Sequence, residues 1–179
     1  MAKLAASYVN TTNQHVFLTG KAGTGKTTFL KYIINNTHKR AVVAAPTGIA
    51  AINAGGVTLH SLLQLPFGSF IPENIQLDVY ETRITSPQTL FRNAKFNATK
   101  RQLIREIELL IIDEVSMLRA DLLDCIDHTL RYLRRNSSAF GGIQILFIGD
   151  LMQLPPVVKE HEHKLLSRYY SSLYFFEAK

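Results

Sequence analysis

Four short stretches of the chain are apolar or β-branched without alternating: His15 to Thr19, Arg40 to Ala45, Leu109 to Ile112 and Ile143 to Ile148. Continuous runs of this length suit strands covered on both faces, as in a parallel sheet. Between them, helical patterns run over Thr27 to Asn35, Thr47 to Asn53, Ala98 to Glu106 and Leu118 to Arg135. In the last of these, Leu118, Leu122, Ile126, Leu130 and Leu133 form a stripe that predicts a core-facing helix, with Cys125 beside it as an inert packing residue. Strand and helix alternate, so the expectation is an α/β domain with a mainly parallel sheet flanked by helices. Residues 66 to 97 break the pattern. They are rich in Pro, Asn, Ser and Thr, too long for an ordinary connection, and predict an irregular excursion within one domain spanning residues 1 to 179. The apolar tail Tyr169 to Phe176 reads two ways, as a last core segment or as a surface that packs on further protein. Arg131, Arg134 and Arg135 are expected at an exposed helix end, complementing its carboxyl-terminal dipole.

Composition narrows the partners. A chain of 179 residues with 46% hydrophobic content supports one ordinary core. The formal charge of +6 suits a polyanionic partner, though charge alone does not separate nucleic-acid binding from a solvated positive face. No apolar run approaches the roughly 18 residues of a membrane span, and the opening residues carry no signal or transit composition. The expected location is therefore the cytoplasm in a bacterium, or the nucleus or mitochondrion in a eukaryote, with no membrane partner. A single cysteine, Cys125, excludes an internal disulfide and a cysteine-based zinc site within the chain. His161 and His163, two apart and without further ligands, read as part of a solvated loop over Lys159 to Lys164 rather than as a metal site.

The chemistry begins at Gly20-Lys21-Ala22-Gly23-Thr24-Gly25-Lys26-Thr27, which matches G-x-x-x-x-G-K-[ST], follows an apolar strand and opens a helix. Glycines let such a loop turn tightly enough to aim backbone N–H groups at phosphate oxygens, and the helix adds its positive end. Gly20, Ala22, Gly23, Thr24, Gly25, Lys26, Thr27 and Thr28 are the candidate nucleotide-binding residues. In this role Lys26 reaches the β and γ phosphates of ATP, and the Thr27 hydroxyl ligates Mg²⁺.

A second signal is the buried strand Leu109 to Ile112 running into Asp113-Glu114. Beside a phosphate loop, Asp113 is the candidate metal residue and Glu114 the candidate base for the attacking water. Asp113 lies far enough beyond Lys26 for further strand and helix units, and the adjacent Glu favours a hydrolysing motor over a small kinase. A third strand leads to Gly149-Asp150-Leu151-Met152-Gln153-Leu154-Pro155-Pro156. Gln153 is the candidate sensor of the γ-phosphate, although the segment alone also reads as a turn closed by two prolines.

Together these residues resemble the Pif-one (petite integration frequency) family of superfamily 1B DNA helicases, relatives of the RecD-like and Dda helicases. The match is carried by Val16 to Thr28, Ala44-Ala45-Pro46-Thr47-Gly48-Ile49-Ala50-Ala51, Gly55-Gly56-Val57-Thr58-Leu59-His60-Ser61, Asp113 to Leu118 and Phe140 to Pro156, with Arg119 to Ala139 similar to the family's signature region. The resemblance implies a RecA-like P-loop NTPase fold, ATP/ADP and Mg²⁺ as cofactors, single-stranded DNA and forks as partners, and 5′-to-3′ unwinding in DNA repair, recombination or telomere maintenance. It also implies that Pro46, Thr47, Gly48, Thr58, His60 and Ser61 line the DNA path. The family's adenine-reading glutamine has no clear counterpart, Gln14 sitting too near the first strand. A second RecA-like motor domain of the same parent chain is expected to complete the ATP site with arginines, leaving these residues alone nearly inactive. The alternatives are a P-loop nucleotide kinase and a non-catalytic nucleotide switch.

Overall fold

The computed structural model describes residues 2–73, 84–91 and 96–179. The apolar runs become strands, and the two central ones bury both faces. In β6 (Leu109–Ile112), Leu110 and Ile112 face one hydrophobic cluster while Leu109 and Ile111 face another. Residues of β7 (Gln144–Gly149) divide the same way, Ile145 and Phe147 to one side, Leu146 and Ile148 to the other. With β1 (Val16–Thr19), β2 (Ala41–Ala45) and β3 (Val57–Thr58) they form a five-stranded sheet in the order β1-β7-β6-β2-β3, parallel at every pairing.

Helices close both faces. On one side lie α1 (Ala2–Thr11) and α2 (Lys26–Asn36), whose Ala6, Val9, Phe29, Leu30 and Ile33 cover Leu109, Ile111, Leu146 and Ile148. On the other lie α4 (Leu59–Leu63), α5 (Ala98–Glu106) and α6 (Ala120–Arg134). The short α3 (Gly48–Ala54) sits against β2 through Ala50 and Ala51. As expected, Cys125 is packed in the core of α6, and burial pushes its thiol up to about 12, which keeps it an unreactive neutral group. The expected α/β class with a mainly parallel sheet is what the chain forms.

Several local expectations change. Of residues 66 to 97, positions 74–83 and 92–95 lie outside the described residues. The rest is not wholly irregular: β4 (Ser69–Phe70) and β5 (Ile84–Thr85) make a small parallel pair. That pair is tied to α6 by the Phe70 amide, which donates to the buried Asp121 carboxylate at 3.0 Å. Lys159 to Lys164 is not a loop. Most of it forms α7 (Glu160–Leu166), started by Glu162 accepting from the Lys159 amide and held by Arg119. No cluster of three metal-type side chains exists among the described residues. The arginines are also more structural than expected. Arg134 donates to the carbonyls of Ile104, Arg105, Ile107 and Gly141, fastening the end of α5, while Arg131 pairs with Asp127; only Arg135 is exposed. In the tail, Tyr170 and Phe175 are buried while Phe176 is exposed, so it is chiefly a core segment.

Candidate functional site

The phosphate-loop sequence folds as a tight turn between β1 and α2. Gly23 and Gly25 take φ of 77° and 89°, a left-handed conformation that a side chain would strain. A Cβ on Gly20 would come within 2.6 Å of Thr24 Oγ1, whose hydroxyl donates to the Lys21 carbonyl at 2.8 Å. Helix α2 opens without a side-chain cap, so its first amides stay available at the loop. The Lys26 ammonium folds back across the loop and donates to the carbonyls of Gly20 at 2.5 Å and Lys21 at 3.1 Å. Residues 21–25, Thr27 and Thr28 are exposed.

Asp113 leaves β6 with its amide donating to the Ala44 carbonyl at 2.9 Å, and its carboxylate accepts from the Glu114 amide at 3.0 Å. Glu114 has φ of 52°, unusual for a residue with a side chain. The chain then tightens into a 3₁₀ turn over Val115–Met117 that lies hard against the end of β7. A Cβ on Gly149 would sit 2.9 Å from Val115 Cγ1 and 3.1 Å from the Val115 amide, so a bare position there lets the two strand ends close up. Burial raises the pKa of Asp113, with the Glu114 amide and the Lys26 charge opposing it. Burial also raises that of Glu114, reinforced by Asp113 and Asp150 and opposed by Lys26. Lys26, Asp113, Glu114 and Asp150 therefore share one electrostatic neighbourhood, with three carboxylates facing one ammonium.

Sequence reasoning missed Asp150. Its only signal was a Gly-Asp pair closing an apolar strand, which is common to many turns. In the fold Asp150 is buried at the top of β7, its carboxylate accepts from the Met152 amide and its carbonyl from the Gln153 amide. This turn leaves Gln153 half-buried just past the end of β7, the strand that runs between the phosphate-loop strand and the carboxylate strand.

The second group of expected residues follows β2 and β3 on the same edge of the sheet. Thr47 caps α3, its hydroxyl oxygen accepting from the Ala50 amide at 3.2 Å; Thr58 caps α4 by accepting from the Ser61 amide at 3.1 Å. Pro46 and His60 are half-buried, Gly48 and Ser61 exposed. The His60 imidazole lies nearly parallel to the Phe67 ring, centroids 5.2 Å apart. Burial, and secondarily the Arg119 charge, depress its pKa, so near neutral pH the ring is uncharged. The sheet thus gathers the expected residues into two neighbouring groups: Gly20 to Thr28, Asp113, Glu114 and Gln153 at β1, β6 and β7, and Pro46 to Gly48 with Thr58 to Ser61 at β2 and β3.

Comparison with known proteins decides the family. The sequence model of PIF1-like helicases matches residues 1–173. The chain belongs to the PIF1-like helicase family. It is 40% identical over 152 residues to the ATP-dependent DNA helicase PIF1 of Candida albicans, covering 83% of this chain and 15% of that protein. The crystal structure of Bacteroides Pif1 bound to single-stranded DNA superposes with a TM-score of 0.84 at 46% identity, over 99% of this chain and 37% of that one. Bacteroides Pif1 in complex with ADP-AlF3 and single-stranded DNA gives a TM-score of 0.79 at 49% identity, over 93% of this chain and 35% of that one. The PIF1-like chain thus spans a minor part of the length of these relatives, and its fold is the RecA-like P-loop NTPase arrangement that the family resemblance implies. No helix among the described residues is long and apolar enough to cross a membrane.

Proposed function

We propose that this chain is the nucleotide-binding first motor domain of an ATP-dependent 5′-to-3′ DNA helicase. On this reading it couples ATP hydrolysis to translocation on single-stranded DNA and to unwinding of duplex or quadruplex DNA at forks, in repair, recombination or telomere maintenance. It would work in a bacterial cytoplasm or a eukaryotic nucleus or mitochondrion. One observation carries the reading: a single edge of one parallel sheet holds the phosphate loop, the acidic pair and the two threonine-capped turns. Open parallel sheets bind ligands at this carboxyl edge. Support comes from Bacteroides Pif1, a relative solved with ADP-AlF3 and single-stranded DNA.

On this reading each residue takes a role. Backbone amides of Gly20, Ala22, Gly23, Thr24 and Gly25, with the first turn of α2 through Thr28, surround the phosphates of ATP or ADP. Lys26 exchanges the Gly20 and Lys21 carbonyls for β and γ oxygens. Asp113 is a half-buried carboxylate that accepts one amide and pairs with no cation among the described residues, so it fits a divalent ion shared with the Thr27 hydroxyl. Bound Mg²⁺ would neutralise charge on the phosphates. Glu114 takes the proton of the attacking water, and its raised pKa makes it a stronger base than an ordinary carboxylate. Gln153 hydrogen-bonds the γ-phosphate and registers its departure.

On the track side, Thr47 and Thr58 accept their capping bonds, so each hydroxyl proton remains free to donate to a phosphate oxygen. Pro46, Gly48 and Ser61 offer backbone and hydroxyl contacts, and the uncharged His60 offers a ring rather than an ion pair. Arginines from a second RecA-like domain of the same parent chain would complete the ATP site, a contribution of about 10³ to 10⁵ in rate among related NTPases. Residues 1 to 179 alone should then turn over ATP near background.

Calorimetry with ATP, with and without Mg²⁺, tests the fuel site: Lys26→Ala and Asp113→Ala should each weaken binding, and equal affinity in parent and Lys26→Ala would reject it. Fluorescence anisotropy on the full-length protein tests the track. Thr47→Ala with His60→Ala should lower DNA affinity and leave ATP affinity nearly intact, and binding should weaken with salt as phosphate contacts are screened.

A further inference from the structure

Phe67 is the most exposed phenylalanine among the described residues, 84% open to solvent, yet the chain on either side of it is fastened. Before it, the Leu65 amide donates to the His60 carbonyl at 3.2 Å, and the Leu65 side chain is buried. After it, the Gly68 carbonyl accepts from Arg119 Nη2 at 3.1 Å, and the Phe70 amide is bonded to Asp121, which Arg119 also grips. An apolar ring at the tip of a tethered turn is presented, not merely left over, and exposed loop residues on a rigid scaffold are where recognition concentrates. His60 lies beside one face of the ring, nearly parallel at 11° and offset, with the centroids 5.2 Å apart, and most of the Phe67 ring stays exposed.

The size of the open surface selects its occupant. In the chain Phe67 is flanked by Pro66 and Gly68, and of the residues around it Gln64 is exposed while Leu65 and Phe70 are buried, so no exposed apolar side chain adjoins it in sequence. A stable protein interface needs on the order of 800 Å² from each partner. A single aromatic face instead matches one nucleobase, and such stacking tolerates any base because every base has a π-face.

We propose that the free face of Phe67 is a stacking platform for one nucleobase of single-stranded DNA, extending the His60–Phe67 pair into a three-ring stack. This rests on the reading of Thr58 to Ser61 as part of the DNA path and adds to it a contact of a different kind. The capped turns hold the phosphate backbone, while Phe67 holds a base. Arg119 is the positioning residue, because it fixes the Gly68 carbonyl and lies close enough to His60 to help keep that ring neutral.

The test uses the full-length protein and a short oligothymidine, followed by anisotropy. Phe67→Ala should weaken binding about tenfold, within the range of base–aromatic stacking, and Phe67→Tyr and Phe67→Trp should restore it. The dependence of affinity on salt should keep its slope, since no phosphate contact is lost. With 2-aminopurine walked along the oligonucleotide, one position should be quenched by the parent and released in Phe67→Ala. Unchanged affinity in Phe67→Ala overturns the platform, and a lowered melting temperature in that variant would assign the ring to protein packing instead. The wider reading fails separately: no DNA affinity in the full-length protein removes both, whereas binding that is lost in Thr47→Ala/His60→Ala and kept in Phe67→Ala removes the platform alone.

Discussion

The two ends of the same sheet carry similar polar side chains and treat them in opposite ways. At the amino ends of the strands nearly everything is paired. Lys39 donates to the Thr12 carbonyl and to Gln144 Oε1, both at 2.6 Å, Gln144 Nε2 donates to the Gln14 carbonyl at 2.6 Å, and His15 Nδ1 accepts from the Ile145 amide at 3.1 Å. Glu108 accepts from the backbone and side chain of Arg40. At the carboxyl ends, Asp113 accepts a single amide, and the side chains of Thr27, Glu114 and Gln153 make no hydrogen bond among the described residues. A polar side chain bonded across the fold is part of its structure, while one at the carboxyl edge that is free, or bonded only within its own loop as Lys26, Thr47 and Thr58 are, stays available to a ligand. The backbone carbonyl of Gln14 belongs to the first kind, committed to Gln144 Nε2.

The comparison breaks if substitutions at the two edges have the same effect. The largest expected change is at the carboxyl edge: Glu114→Gln in the full-length protein should reduce turnover about 10² to 10⁴-fold, the usual worth of a general base, with ATP affinity retained. Because Glu114 is desolvated and faces Asp113 and Asp150, the same variant should melt no lower than the parent. A lower melting temperature with turnover intact would place Glu114 on the structural side.

At the amino edge the signs reverse. Gln144→Leu removes two part-buried bonds, leaving Lys39 only its acceptors at Thr12 and Asn13 and the Gln14 carbonyl without its donor, a loss of about 2 kcal/mol, or roughly 4 to 8 °C in melting temperature for a domain of this size. ATP and DNA affinities should not move. Weakened ATP binding at full occupancy of the folded state would dissolve the division between the edges.

The smallest effect concerns pH. Burial lowers the pKa of His15 from 6.5, with the Asp127 charge opposing, and its Nδ1 must be unprotonated to accept from Ile145. The native state therefore takes up this proton later than the unfolded chain, so the contribution is full above 6.5 and is lost as pH falls toward the depressed native value. Melting curves between pH 7.5 and 5.5 should show a decline that His15→Asn makes shallower. An identical decline in the variant would remove His15 as its source.

What could be read from sequence follows the same division. Four strands were legible as continuous apolar runs, β6 and β7 because both faces are buried, and β1 and β2 although Phe17 is exposed and Ala41 and Val42 are only partly covered. Val57–Thr58 was not, being two residues paired with β2 and without a pattern of its own. Helix α1 escaped because Ala6 and Val9 are its only fully buried residues, too few for a stripe. α7 reads as a charged loop until Arg119, far away in sequence, pairs with Glu162. Among site residues, the phosphate loop and Asp113-Glu114 announce themselves through fixed local spacing. Asp150, Arg119 and Phe67 do not, since their significance arises from contacts across the fold, such as the 51 residues between Arg119 and Gly68. The capping work of Thr47 and Thr58 was equally hidden, because a helix start and a phosphate contact call for the same hydroxyl.

The order β1-β7-β6-β2-β3 also works as a ruler. Four strand spacings separate the phosphate-loop strand from the strand leading to His60, about 19 Å at the usual interval between neighbours. Exposed charges are largely screened beyond about 8 Å in physiological salt, so a phosphate held at the β1 loop would not be felt as charge at β3. The two groups of residues come nearest at β6 and β2, which pair directly, and a signal from the β1 loop to β3 would have to pass through the strands. β6 and β7, buried along their whole length, would act as a yoke, moving as one piece if the proposed second domain rocked against the edge.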